Sequence, residues 1–387
     1  MDAAFAVLGL GALLALALLV AMAWLMVRLS WPHVEATGDP ELGINFSCNQ
    51  AEYLLLEDPA LGEAGYVADS RPGRASWCAQ VLGALLDDLG AKHVRISVEW
   101  SQVEPRPGEF DFTLVDALLA EAGRRGARAV VGIGIKAQRH PEFYIPEWVK
   151  DRVSIERGDV VSDDPYLRER ALMMAASVVA HVAGSPVVEG WGAENEPYIP
   201  SGRAGHVTLS RGYVAELVRV IREADPLRRP VSINHAQHFV FDRRWQWALQ
   251  DSDALAASIY PYRNVSAFGI NGVVNILELG PLNTNYAHQA REAHRAGKLF
   301  WITEMQGEPW TDGDARLISP DEPSPNLSPA RLRRSIDYSR RSGADRVYLW
   351  GAEWWLFQRE EYGDARWLDV ARGEFAQPAL AADVARP

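Results

Sequence analysis

Two glutamates stand out because each closes an apolar run and would therefore sit at the lip of a buried strand. Glu196 lies near the end of Gly190-Trp191-Gly192-Ala193-Glu194-Asn195-Glu196-Pro197, and Glu304 ends Phe300-Trp301-Ile302-Thr303-Glu304. Two carboxyls held about 5–5.5 Å apart are what retaining hydrolysis of a glycosidic bond requires. One attacks the anomeric carbon, while the other protonates the departing oxygen and then activates water. The acid needs a raised pKa, and a second carboxylate beside it helps, because the two resist ionising together. Once the nucleophile is glycosylated its charge is gone, and its partner can act as a base. Asn-Glu-Pro alone also recurs as a helix-start signal, so the pairing with Glu304 is what gives it chemical meaning.

Such a pair must be carried by elements that bring distant segments to one mouth. After Pro40, short apolar runs alternate with helical patterns, the signature of repeated βα units. Eight strands are expected: Gly43–Ser47, His93–Val98, Ala127–Ile133, Val187–Ala193, Val231–Asn234, Leu255–Tyr260, Leu299–Thr303 and Arg346–Trp350. Amphipathic helices are expected over Ser76–Leu89, Pro165–Ala183, Leu209–Ala224, Thr284–Ala296 and Pro329–Ser342. The strands are continuously apolar, as when helices cover both faces of a sheet. The pattern predicts an α/β fold, a (β/α)8 TIM barrel over 41–387, with a doubly wound open sheet as the alternative. Barrel sites gather at the carboxyl ends of the strands. Glu99 and Trp100, Asn195 and Glu196, His235, Tyr260, Glu304 and Glu353 all fall at such ends.

These motifs resemble glycoside hydrolase clan A, near its cellulase-like family five, over roughly Gly43 to Trp355. The resemblance implies that Glu196 is the acid/base, Glu304 the nucleophile, and Asn195 a ligand for the sugar 2-hydroxyl. It implies that Arg95 on strand two and Tyr260 after strand six hold the nucleophile ionised and aligned. It also implies that Trp350 is a sugar platform, and the run from Glu99-Trp100-Ser101-Gln102 through Phe112 resembles the clan's strand-two loop. Family five usually shows His-x-Tyr after strand six, where this chain has Ser258-Ile259-Tyr260, and a His after strand three, where it has Lys136 and, four residues on, His140. The substrate therefore does not carry over.

Other residues admit two readings. The chain has 14 Trp; some fill the core, and others suit stacking on a pyranose. Trp100 and His235 join the candidate substrate contacts, and Glu308 and Glu353 could bind hydroxyls or be solvated charges. Glu194 reads as a supporting partner. Cys48 and Cys78, the two cysteines, could form one bridge or remain buried thiols. No His/Cys/Asp spacing suggests a metal. Gly132-Ile133-Gly134 loosely fits a dinucleotide fingerprint, but no helix pattern starts there, so no cofactor is expected. With 51 acidic against 39 basic residues, net −12, the chain repels phosphate backbones, and nucleic acid is not an expected partner.

From Ala3 to Val27 runs an uncharged apolar stretch, long enough as a helix (about 37 Å) to cross a bilayer core of about 30 Å. It is read as a transmembrane anchor (1–28) followed by a linker (29–40). Ala21-Met22-Ala23 also fits signal-peptide cleavage, though the first residues lack positive charge. The expectation is a single-pass, membrane-anchored protein with an extracytoplasmic barrel, while Arg28 after the span leans the other way. The expected function is a retaining β-glycosidase acting on a β-linked oligo- or polysaccharide. The rivals are a glycan-binding barrel without turnover and a membrane-tethered transglycosylase of polysaccharide assembly.

Overall fold

In the computed structural model, the eight apolar runs become eight parallel strands: β1 (Glu41–Asn45), β2 (His93–Ser97), β3 (Arg128–Ile133), β4 (Val188–Ala193), β5 (Val231–Ala236), β6 (Ala254–Ile259), β7 (Leu299–Gln306) and β8 (Arg346–Trp350). They follow one another in chain order around a closed barrel, β8 pairing with β1. Closure leaves no unpaired strand edge. The expected barrel is therefore observed and the open sheet is not. The structure describes residues 11, 13–24, 39–56, 73–139, 141–200, 205–236, 242–267, 270–278, 284–311 and 314–377.

Local chemistry explains where the helices begin. Asp164 accepts from the Leu167 N–H at 2.9 Å, and Pro165 occupies the first turn of Pro165–Val182, where its missing N–H costs nothing. That helix buries Leu167, Ala171, Met174, Ala175, Val178, Val179 and Val182, one stripe at helical spacing. Further helices over Cys48–Leu55, Thr113–Arg124, Ala352–Tyr362 and Arg366–Phe375 were not anticipated. After β6 the chain forms an antiparallel hairpin, Tyr262–Ala267 with Ile270–Asn275.

The barrel interior holds its own apolar cluster of Val130, Ala254, Ala256, Trp301 and Tyr348. Gly190 makes room for it, since a Cβ there would lie 3.1 Å from the Trp301 ring and 3.2 Å from the Pro230 carbonyl. Below this layer, at the strand amino ends, Glu189 forms a floor. His93 Nδ1 lies 2.9 Å from its carboxylate, Arg346 Nη1 lies 3.0 Å away, and the Tyr348 hydroxyl donates at 3.4 Å. Cys48 and Cys78 are bonded to one another, closing a separation of 30 residues and joining helix Cys48–Leu55 to helix Arg74–Leu89.

The amino-terminal anchor is not supported by the described residues. No helix among them is long and apolar enough to cross a membrane. About half of the stretch expected to span, together with the linker to residue 38, lies outside them. Residues 13–24 are helical with exposed apolar side chains, among them Leu13, Leu18 and Trp24.

Candidate active site

Strand register does the positioning. Asn45 on β1 lies beside Arg95 on β2, and Ser258 on β6 lies beside Glu304 on β7. Strand β7 continues to Gln306, so Glu304 stands within the strand rather than after it. The Arg95 guanidinium, 2% exposed, would be costly in a barrel without partners. Its Nη1 donates to Glu304 Oε1 at 3.1 Å, Asn45 Oδ1 at 3.0 Å and Gln138 Oε1 at 3.1 Å. Its Nη2 donates to Asn195 Oδ1 at 2.6 Å. The Tyr260 hydroxyl donates to Glu304 Oε2 at 2.6 Å. Each oxygen of Glu304 thus has one fixed donor, which holds the plane of the group. Burial, then the Glu304 charge, pushes the Tyr260 phenol well above its ordinary pKa, so it remains a donor.

Glu196 occupies a contrasting environment. Its backbone N–H donates to Asn234 Oδ1 at 2.6 Å. Glu194 and Glu196 both adopt left-handed backbone, φ 65° and 46°, a conformation unfavourable for a residue with a Cβ. The half-buried Glu196 carboxyl is pushed up to about 7 by burial and then by the Glu304 charge, while Lys136 and the Ser258 hydroxyl pull it down. One carboxyl held by cationic and hydroxyl donors beside one kept protonated near neutrality is the division that acid and nucleophile roles need.

The surrounding amides lock the pair together. Asn234 Nδ2 donates to Asn195 Oδ1 at 3.2 Å and to Ser258 Oγ at 3.1 Å. With Arg95 and Asn234 both on its oxygen, Asn195 keeps its amide NH2 for other partners. Glu194 is a staple: Ile135 N, Lys136 N and the Tyr213 hydroxyl donate to it at 2.8, 2.7 and 2.7 Å. Gly134 (φ 156°) permits this approach, since a Cβ there would lie 2.2 Å from the Glu194 carboxyl carbon. Asn45, Gln138, Asn234 and Ser258 were missed, though polar residues inside or just beyond apolar strands were the available signal.

Trp350 is already engaged. The Arg139 guanidinium lies 3.9 Å from its ring centroid, and its Nε1 donates to Glu308 Oε1 at 2.9 Å. Arg139 pairs with Glu308 and, at 3.2 Å, with Glu353, whose other oxygen accepts from Ser47 N at 2.6 Å. Glu308 and Glu353 are therefore wall-building ion pairs, not solvated charges. The more open aromatic beside the site is Trp310, 53% exposed, with its ring 5.7 Å from that of Tyr260.

Two candidates are corrected. Trp100 is fully buried, its Nε1 donating to Glu104 at 2.8 Å and its ring edge-on to Trp148, so it offers no face to a sugar. His235 is buried with Nε2 3.7 Å from Asp242. It follows Asn234 on β5, and alternation turns it to the outer side of the barrel. His140 lies outside the described residues.

Residues 79–206 match a family model described as β-galactosidase, Glyco_hydro_42. Over 128 residues the chain is 28% identical to β-galactosidase BbgII of Bifidobacterium bifidum, covering 29% of this chain and 17% of that one. In fold it is similar to the polyextremophilic β-galactosidase of the Antarctic haloarchaeon Halorubrum lacusprofundi, with TM-score 0.54, 16% identity, and 87% of this chain aligned to 57% of the other. It is also similar to the exo-β-1,4-mannosidase Op5Man5 of Opitutaceae bacterium strain TAV5, with TM-score 0.53, 20% identity, and 87% of this chain aligned to 60% of the other. The chain thus spans less than two thirds of these proteins' lengths. The resemblance to clan A glycoside hydrolases read from the sequence is borne out by a partial family match in sequence and by the closed barrel in fold.

Proposed function

We propose that the chain is a retaining β-glycosidase that hydrolyses a β-linked glycan by double displacement. The observation that carries the reading is the pairing of Glu304, gripped by Arg95 and Tyr260, with Glu196, whose carboxyl stays protonated up to about 7 partly because Glu304 is charged. Glu304 attacks the anomeric carbon while Glu196 gives its proton to the leaving oxygen. The bond from Glu304 to the anomeric carbon forms as the bond from that carbon to the leaving oxygen breaks, leaving a glycosyl ester on a now neutral Glu304. Loss of that charge lowers the proton affinity of Glu196, which then takes a proton from water as the water attacks the anomeric carbon, breaking its bond to Glu304 and freeing the carboxylate. The Asn195 amide binds the sugar 2-hydroxyl, a role that the clan A resemblance supports. The partial family match supports a β-galactoside-like substrate, and the apolar stretch Ala3–Val27 supports a tether to a membrane.

The decisive variant is Glu304→Ala assayed on aryl β-glycosides. Turnover should fall to background, and azide should partly restore it, giving a glycosyl azide of inverted configuration. Retention of wild-type turnover would remove Glu304 from the nucleophile role. Binding of a glycan by the wild type with no turnover of any aryl β-glycoside would instead favour the glycan-binding barrel.

A further inference from the structure

The β3 loop leaves β3 and returns as a tight turn. The Glu142 N–H donates to the Arg139 carbonyl at 2.8 Å, Ala137 N to the Glu142 carbonyl at 2.8 Å, and Tyr144 N to the Ile135 carbonyl at 3.0 Å. The Lys136 side chain passes under the β4 loop with 1% exposure and meets Glu142 Oε2 at 3.2 Å. Its Nζ donates to the backbone carbonyls of Glu196 at 3.1 Å and Ile199 at 3.2 Å. The Lys136 carbonyl in turn accepts from Asn195 N at 2.9 Å. This buried ammonium grips the strained turn that carries Glu196 and Asn195, in the place where the family-five resemblance would put a histidine.

We propose that the Lys136–Glu142 ion pair is a positioning device for the acid/base. Lys136 holds the Glu196 turn in its left-handed backbone, and the balance between its charge and that of Glu142 sets how long Glu196 keeps its proton. The inference rests on Glu196 being the acid/base. Three charged groups face the Glu196 carboxyl: Glu304 from β7, and Lys136 and Glu142 from the β3 loop, with the Ser258 hydroxyl from β6 as a donor. Tyr260 and Tyr286 also feel its charge, and both phenols are held above their ordinary range by burial, so they stay neutral. Lys136 favours the carboxylate, whereas Glu142 and Glu304 favour the protonated acid. Among these, Lys136 and Glu142 are the pair whose charges can be changed without touching the nucleophile.

The test uses the full-length protein and the pH dependence of kcat/KM on an aryl β-glycoside with a poor leaving group. The basic limb of that profile reports loss of the Glu196 proton. Glu142→Gln leaves the ammonium uncompensated, so the basic limb should move to lower pH. Lys136→Met leaves Glu142 uncompensated, so it should move to higher pH, each by about half a pH unit or more. Lys136→Arg keeps the charge and should return the limb close to its wild-type position, even if geometry lowers kcat. A scaffold role alone would lower kcat in any of the three without moving the limb in opposite senses. Shifts in the same direction, or none in Glu142→Gln, whose side chain is one-third exposed and tolerant of change, would overturn the proposal. Glu196→Gln, assayed on substrates with good and with poor leaving groups, keeps the two readings apart. If that variant cleaves poor leaving groups as wild type does, the acid/base reading fails; if it does not and the limbs stay fixed, only the ion-pair inference fails.

Discussion

Glu304→Gln mimics, in shape and charge, the nucleophile after it has been glycosylated, and so isolates the electrostatic half of the acid-to-base switch. Two unit charges about 5.5 Å apart, the separation retaining chemistry needs, interact by about 3 kcal/mol at an effective dielectric near 20, worth about two pH units. Glu196 is only half-buried, and water on the cleft side screens part of this, so a fall of about one unit is expected. Burial, the larger cause of the upward push from 4.5 to about 7, survives the substitution. The Glu196 carboxyl should therefore titrate lower than in the wild type yet stay above 4.5. Carboxyl-carbon NMR of protein labelled at glutamate side chains, with Glu196→Gln used to assign the resonance, measures both values. An unchanged titration would mean that the two carboxyls do not share a site, and the double-displacement reasoning would go with it.

Burial also pushes the Glu99 carboxyl up to about 7 from 4.5, with Arg74 opposing. A carboxyl raised in the folded state favours folding fully below its unfolded value, and that contribution is lost as pH rises through the folded value. Glu99→Gln should therefore raise Tm relative to wild type at pH 8 and leave it nearly equal at pH 4.5; the reverse order in calorimetry would contradict the burial argument. Replacing both Cys48 and Cys78 by Ser opens a loop of 30 residues and should cost about 3–4 kcal/mol. That loss should appear in denaturant unfolding of the oxidised protein and vanish when wild type and variant are compared under reductant.

The sequence made the barrel legible because its strands are continuously apolar and its helices carry one buried stripe each. It marked Glu196, Glu304 and Tyr260 because polar residues at the ends of such runs gather at one mouth, whereas the place of Arg95, inside its strand, was read from the resemblance to clan A. What it hid depended on contacts between loops. Trp100 follows Glu99 at a strand end, yet the short helix Trp100–Val103 turns it inward, where Glu104 takes its N–H. Strand β7 continues through Met305 and Gln306 because Gln306 bonds the Tyr262 backbone, accepting at 3.0 Å and donating at 3.3 Å, a partner 44 residues away. The engagement of Trp350 by Arg139 joins loops after β3, β7 and β8, and no local pattern announces it. Asn234 and Ser258 read as ordinary strand residues until the register sets them side by side between the two glutamates.

The Glu189 floor has a consequence of a different kind. Its partners His93, Arg346 and Tyr348 come from β2 and β8, so barrel closure is secured at the end opposite the chemistry. Stability and reactivity are thereby kept at separate ends of one scaffold. The mouth loops can lengthen, shorten or exchange residues while the closure beneath them is left intact. A lineage can try new sugars at the rim without renegotiating how the barrel folds.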